Sequence, residues 1–254
     1  MGRRAKAGVA VAAAALALAP RPAFAYRPFD GTDGAVAELH VFELEIGPVH
    51  YYREGQQNYA IAPNLVLNLG ILEDTELVID ASNYVALGPL ETDVARDSLL
   101  GDDVLVKHVF REGVLQGKTG VSIAAEGGVL TPEIHGDSGF GESLDVITSY
   151  AWSFCAVHWN EWFEYARDQH ADLFTGVIVE GPSAWAVRPV TEIFFDEHFG
   201  GDQTGSVLVG AIWTVRDDLA FDAGVRGALV GAERASEVRA GLTWAVSLAP
   251  SPRR

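Results

Sequence analysis

The chain has 254 residues, 48% of them hydrophobic, and sets 18 Lys and Arg against 35 Asp and Glu for a formal net charge of −17. So acidic a surface repels a polyanion, which argues against nucleic acid as a partner. Cys155 is the one cysteine, so no intrachain disulfide forms, and an exported chain of this kind must be held together by other means.

Met1–Ala25 opens with Arg3, Arg4 and Lys6, continues through a small and apolar run from Ala7 to Ala19, and closes on Ala23-Phe24-Ala25. A charged head, a short apolar stretch and a small-x-small site describe a secretory signal peptide. The apolar run is shorter than the ~20 residues of a spanning helix, and no cysteine follows to carry a lipid. Two segments are therefore expected: a signal peptide over 1–25 and one β domain over 26–254 with a short C-terminal tail. The leader holds four basic residues and no acid, which leaves 14 basic against 35 acidic and a formal −21 for the exported part.

From there the chain reads as strand after strand. A first run near Val36–Pro48 carries Glu43 and Glu45 on one face, and Tyr51–Asn58 reads as a polar loop. Tyr59–Ile71 alternates Leu65, Leu67 and Leu69 with Asn64 and Asn68, and Glu76–Ser82 sets Leu77 and Ile79 against Glu76 and Asp80. Further runs follow at Asp103–Phe110, Thr119–Leu130, Glu142–Trp152, Val157–Arg167, Asp172–Glu180 and Ala184–Phe195. Strand eight is apolar on both faces. Pro63 and Pro189 each remove a ladder hydrogen bond from within a strand.

The last three runs are the clearest. Thr204–Val215 places Val207, Val209, Ala211, Trp213 and Val215 on one side, while the other mixes Ser206, Gly210 and Thr214 with Leu208 and Ile212. Leu219–Leu229 repeats the pattern after Arg216-Asp217-Asp218. Beyond Gly231–Ser236 a final run puts Val238, Leu242, Trp244, Val246 and Leu248 opposite Arg239, Gly241, Thr243 and Ser247. A side-chain period of two marks strands. Their length, about 11 residues, is close to the ~9–11 that a tilted strand needs to cross a bilayer.

The fold expected is all-β: a 12-stranded antiparallel transmembrane β-barrel, with ten or fourteen strands compatible with the same pattern. Links two-three, four-five, six-seven, eight-nine and ten-eleven read mostly short and the alternate set long, as periplasmic turns and extracellular loops would. Trp159, Phe163, Tyr165, Trp185, Trp213 and Trp244 fall on apolar faces, where interfacial girdles are expected.

Arg27-Pro28-Phe29-Asp30-Gly31-Thr32-Asp33, Phe42-Glu43-Leu44-Glu45, Asn64–Gly70 with Glu73-Asp74-Thr75-Glu76-Leu77, Gly101–Lys107, Asp217–Arg226 and Gly241-Leu242-Thr243-Trp244 resemble the landmarks of the phenol-degradation MetA-pathway family. That resemblance implies an outer-membrane barrel and a transport role, and it brings no established set of functional residues. The chain ends in Ala249–Arg254 rather than on an aromatic residue, a departure in what the last strand offers the barrel-assembly machinery.

If the apolar faces meet outer-membrane lipid, the opposite parity lines the lumen: Glu43, Glu45, Glu76, Asp80, Asp103, Lys107, Asp145, His158, Asn160, Glu164, Arg188, Glu192, Asp222, Arg226 and Arg239. Acids outnumber bases, so a pore lined this way favours cations or neutral small-molecule solutes. The bland alternative is a salt-bridge network that plugs a structural barrel. His158, Asn160 and Glu164 share a parity and invite comparison with a lipid hydrolase, but the sequence places no serine beside them. Asp196-Glu197-His198 with Asp202 offers ligands for a divalent cation. Gly127-Gly128 and Gly200-Gly201 lack the strand-to-helix setting of a phosphate loop. The reading is a non-enzymatic channel in the outer membrane, without cofactor or metal.

Overall fold

The computed structural model describes residues 27–88 and 97–248; the expected leader and the C-terminal tail lie outside them. The strands are β1 (Val41–Glu54), β2 (Gln57–Leu72), β3 (Thr75–Ala86), β4 (Asp97–Arg111), β5 (Ser122–Leu130), β6 (Gly141–Ala151), β7 (Ala156–Tyr165), β8 (Ala171–Glu180), β9 (Val187–His198), β10 (Gln203–Arg216), β11 (Leu219–Val230) and β12 (Glu233–Ser247). Each pairs antiparallel with its neighbours in sequence, and β1 closes on β12 from Val41↔Ser247 to Glu54↔Ala235. Closure gives every strand two partners, so no row of unpaired backbone groups is left at an edge.

Alternation sorts side chains onto two surfaces. On β10 Val207, Val209, Trp213 and Val215 are exposed, whereas Ser206, Leu208 and Ile212 are buried. The outward surface has an aliphatic middle, including Val106, Val146, Ile193 and Val225, between two rows of exposed aromatics. Trp152, Trp159, Trp185, Trp213 and Trp244 mark one rim, and Tyr51, Phe163, Tyr165 and Phe195 the other. The first is the terminal rim, where His40 and Leu248 meet through the Leu248 N–H to His40 O bond, 2.8 Å; the second is the distal rim. Trp185 belongs to the β8–β9 link rather than to β9.

Four expectations are corrected. Tyr51–Asn58 is not a loop: β1 and β2 run on to pair Tyr52↔Tyr59 and Glu54↔Gln57. Gly231–Ser236 likewise shrinks to a two-residue turn, with Val230↔Glu233 paired. Gly55 and Gly231 supply the left-handed backbone, φ 53° and 54°, that such tight hairpins need. Beyond the apolar belt, a strand is kept by its ladder and not by an apolar face, so hydropathy stops before the strand does. Third, strand one starts at Val41, and Val36–His40 lies before it.

The fourth is the short-and-long alternation of links. Ten-residue links join β3–β4, β4–β5 and β5–β6, two at the distal rim and one at the terminal rim, and the others are two to six residues long. Pro63 does interrupt pairing: the β2–β3 register shifts between Ile61 and Asn64.

Candidate functional site

The lumen is not empty. Residues 27–38, ahead of β1, thread through it and are held by side chains from most of the wall. Arg27 donates to Asn64 of β2 and lies 3.4 Å from Asp222 of β11. It can do so because two glycines face it: a Cβ at Gly47 would come within 2.7 Å of its guanidinium and one at Gly241 within 2.4 Å. Phe29 packs on Ile178, Val190, Leu208 and Ile212, an apolar floor on the inward faces of β8, β9 and β10.

Polar contacts continue along the segment. The Asp30 carboxylate accepts from Arg226 at 3.0 Å and Arg239 at 3.2 Å, while the Gly31 N–H donates to Glu192 at 2.8 Å. Asn160 grips Thr32 twice, accepting its N–H and donating to its carbonyl, both at 2.9 Å. Lys107 donates to the Thr32 hydroxyl at 2.8 Å, Gly34 N–H to Ser149 at 2.9 Å, and Ala37 N–H to Glu76 at 2.6 Å. In a lumen of such side chains, backbone groups of Asp30, Gly31, Thr32, Gly34 and Ala37 find partners that a bare strand face could not offer.

Beside the segment lies a cavity of about 1010 Å³. It is lined by Glu43, Glu45, Glu76, Asp80, Asp103, Lys107, Asp145, His158, Arg188 and Arg239, and by links of the terminal rim, including Trp152, Cys155 and Ala184. Asn160, Glu192, Asp222 and Arg226 instead hold the segment, and Glu164 lies inward on β7, paired in register with Asp172 toward the distal rim. The fifteen lumen positions read from parity thus divide between cavity, segment and distal lumen.

Charge is unevenly spread around the wall. On β1 to β6 the cavity meets seven carboxylates, those listed above plus Glu126, and one cation, Lys107. Among the described residues Glu43 Oε1, Asp80 Oδ1 and Asp145 Oδ1 are buried without a hydrogen-bond partner. Buried carboxylate oxygens need water or a cation to offset desolvation. On β8 to β12 the arginines have carboxylate partners: Arg188 with Glu180 at 2.7 Å, and Arg226 and Arg239 each with Glu237 at 2.6 Å. Toward the distal rim the inward faces carry aromatics, with Phe174 in ring contact with both Trp162 and Phe194 and the Arg226 guanidinium 5.6 Å from the Phe194 ring.

Parity did not reveal Ser149, Glu180, Glu237 or the threaded segment. Glu237 has the parity of Arg239 but precedes the strand start read from hydropathy. The visible signal for the segment was Leu208 and Ile212 on an otherwise polar face, since full-sized aliphatics facing a lumen require something to pack against. Ser149 Oγ lies 2.8 Å from His158 Nδ1, and His158 Nε2 is 3.5 Å from Glu180. The sequence does not place this serine beside His158; the β6–β7 register, Ser149↔His158, does. Ser149 is wholly buried and accepts the Gly34 N–H, so the trio anchors the segment and offers no open nucleophile. The candidate ligands Asp196-Glu197-His198 and Asp202 are not brought together: His198 turns to Asp168 and Asp172 instead.

No family model and no curated protein matches the chain. Among solved structures it is similar to the KdgM porin, at 10% identity over 80% of this chain and 98% of that one, TM-score 0.49. It is also similar to the CymD monoaromatic hydrocarbon channel, at 8% identity over 84% and 90% of the two chains, TM-score 0.46. An anion-selective porin from Comamonas acidovorans aligns at 7% identity over 81% and 98%, TM-score 0.43. At such identities and scores, the cargo of those proteins does not carry over.

Proposed function

We propose that the protein is an outer-membrane channel that passes small cationic or neutral solutes past a threaded N-terminal segment. The observation that carries this is the cavity of about 1010 Å³ whose β1 to β6 wall presents seven carboxylates to one lysine. Fixed charge in a confined space of low dielectric raises the passage cost of like charge, so anions are disfavoured. The exposed aliphatic belt between aromatic rims supports a bilayer setting, since apolar outward faces of this extent are not left in water. The resemblance to the MetA-pathway family favours small aromatic compounds among the neutral solutes. The acyl-transfer alternative has little support in a serine sealed beneath Gly34.

Conductance of the refolded protein in planar bilayers tests the reading. A salt gradient gives a reversal potential on the cation side, and the triple variant E43Q/D80N/D145N moves it toward zero. A barrel that inserts but conducts nothing, or passes anions preferentially, overturns the proposal. The first outcome favours the plugged structural barrel, a reading supported by the hydrogen bonds that fasten the segment to β3, β6, β7 and β9.

A further inference from the structure

The distal rim gathers two imidazoles that the channel reading does not use. Asp168 and His170 lie in the turn between β7 and β8, and His198 ends β9. The turn is tight: Ala166 N–H donates to His170 O at 2.7 Å, Gln169 N–H to Ala166 O at 3.0 Å, and Gln169 adopts φ 73°. His170 N–H donates to Asp168 Oδ1 at 3.0 Å, leaving Oδ2 directed at both rings.

Asp168 Oδ2 is 3.2 Å from His170 Nδ1 and 3.2 Å from His198 Nε2. One ligand atom from each residue falls within 4.8 Å of the other two. His198 is also held from behind, its Nδ1 lying 2.5 Å from Asp172 Oδ1. A carboxylate on the remote nitrogen is how metal-ligating histidines are oriented and made more basic. Gly200 and Gly201 leave room for the rings, since a Cβ there would come within 3.0 Å of His170 and 2.1 Å of His198.

We propose that the distal rim binds a divalent ion of the zinc, copper or nickel class through His198 Nε2, an imidazole nitrogen of His170 and Asp168 Oδ2, with Asp172 positioning His198. Two imidazoles and one carboxylate suit these borderline metals, whereas calcium and magnesium call for oxygen ligands. Three protein ligands leave a further coordination position for water.

The test uses untagged full-length protein refolded in detergent and titrated calorimetrically with ZnCl2. Uptake of one ion per chain is expected, matched by a visible absorption band when Co2+ replaces Zn2+. H170A and H198A each weaken binding at least tenfold, D172N weakens it by about 10–100-fold, and H135A leaves it unchanged. Excess CaCl2 does not compete. Absence of saturable uptake by the wild type, uptake that survives in H170A, or displacement by equimolar calcium overturns the site. His170 lies in an exposed turn, so H170A, checked by its heat-modifiable mobility on gels, carries the test even where H198A does not refold.

Discussion

Arg239 shows how a charge is held inside this barrel. Its guanidinium donates to Glu237 from two nitrogens, at 2.6 and 2.9 Å, to the Pro28 carbonyl at 2.8 Å and to Asp30 at 3.2 Å. Asp30 faces the Arg226 and Arg239 guanidiniums together, at 3.0 and 3.2 Å. Removing one partner of such a cluster strands the others, typically at a cost of about 3–5 kcal/mol. R239A is therefore expected to lower unfolding stability in urea by that amount. R239K keeps the charge but loses the forked geometry and should fall between the two. Loss of less than about 1 kcal/mol in R239A, in the range of an exposed pair, would mean that water already screens this part of the lumen.

At the scale of elements, the threaded segment and the strands it touches act as one unit. Deleting residues 27–38 removes Phe29 from its floor and frees Asn160, Glu192 and Arg239. The prediction is a barrel that still inserts, with single-channel conductance raised severalfold; unchanged conductance would place the limiting constriction elsewhere in the lumen. The strands themselves were legible in the sequence because lipid demands one apolar face in two, as Val207, Val209 and Trp213 show. Their ends were not: Tyr52, Tyr59 and Glu233 remain paired beyond the apolar belt, where nothing in hydropathy marks them. Arg27–Asp33 drew notice as a motif but gave no hint of its placement, because its partners are single residues on strands far apart in sequence. Leu208 and Ile212, apolar on the wrong face, and strand eight, apolar on both, hinted at an occupant.

For the whole molecule, the two outward aromatic rows fix a depth scale. Val209 lies at the middle of β10 and Leu229 near the distal end of β11, both exposed at 51% and 57%. An arginine at the bilayer midplane costs about 2–4 kcal/mol and one near the interface about 0–1. V209R should thus destabilise the refolded barrel in lipid vesicles far more than L229R. Equal effects, or a chain that stays dispersed without detergent, would show that the outer surface does not face hydrocarbon.

The route of the segment also constrains the order of assembly. Asp30 meets Arg226 across 196 residues of sequence, and the Pro28 carbonyl meets Arg239 across 211. Contacts so remote form late, because the intervening chain must first be organised. The beginning of the domain therefore waits for the final hairpin before all its anchors are in place, and a polypeptide truncated ahead of β11 would lack the Arg226 and Arg239 holds on its amino-terminal stretch.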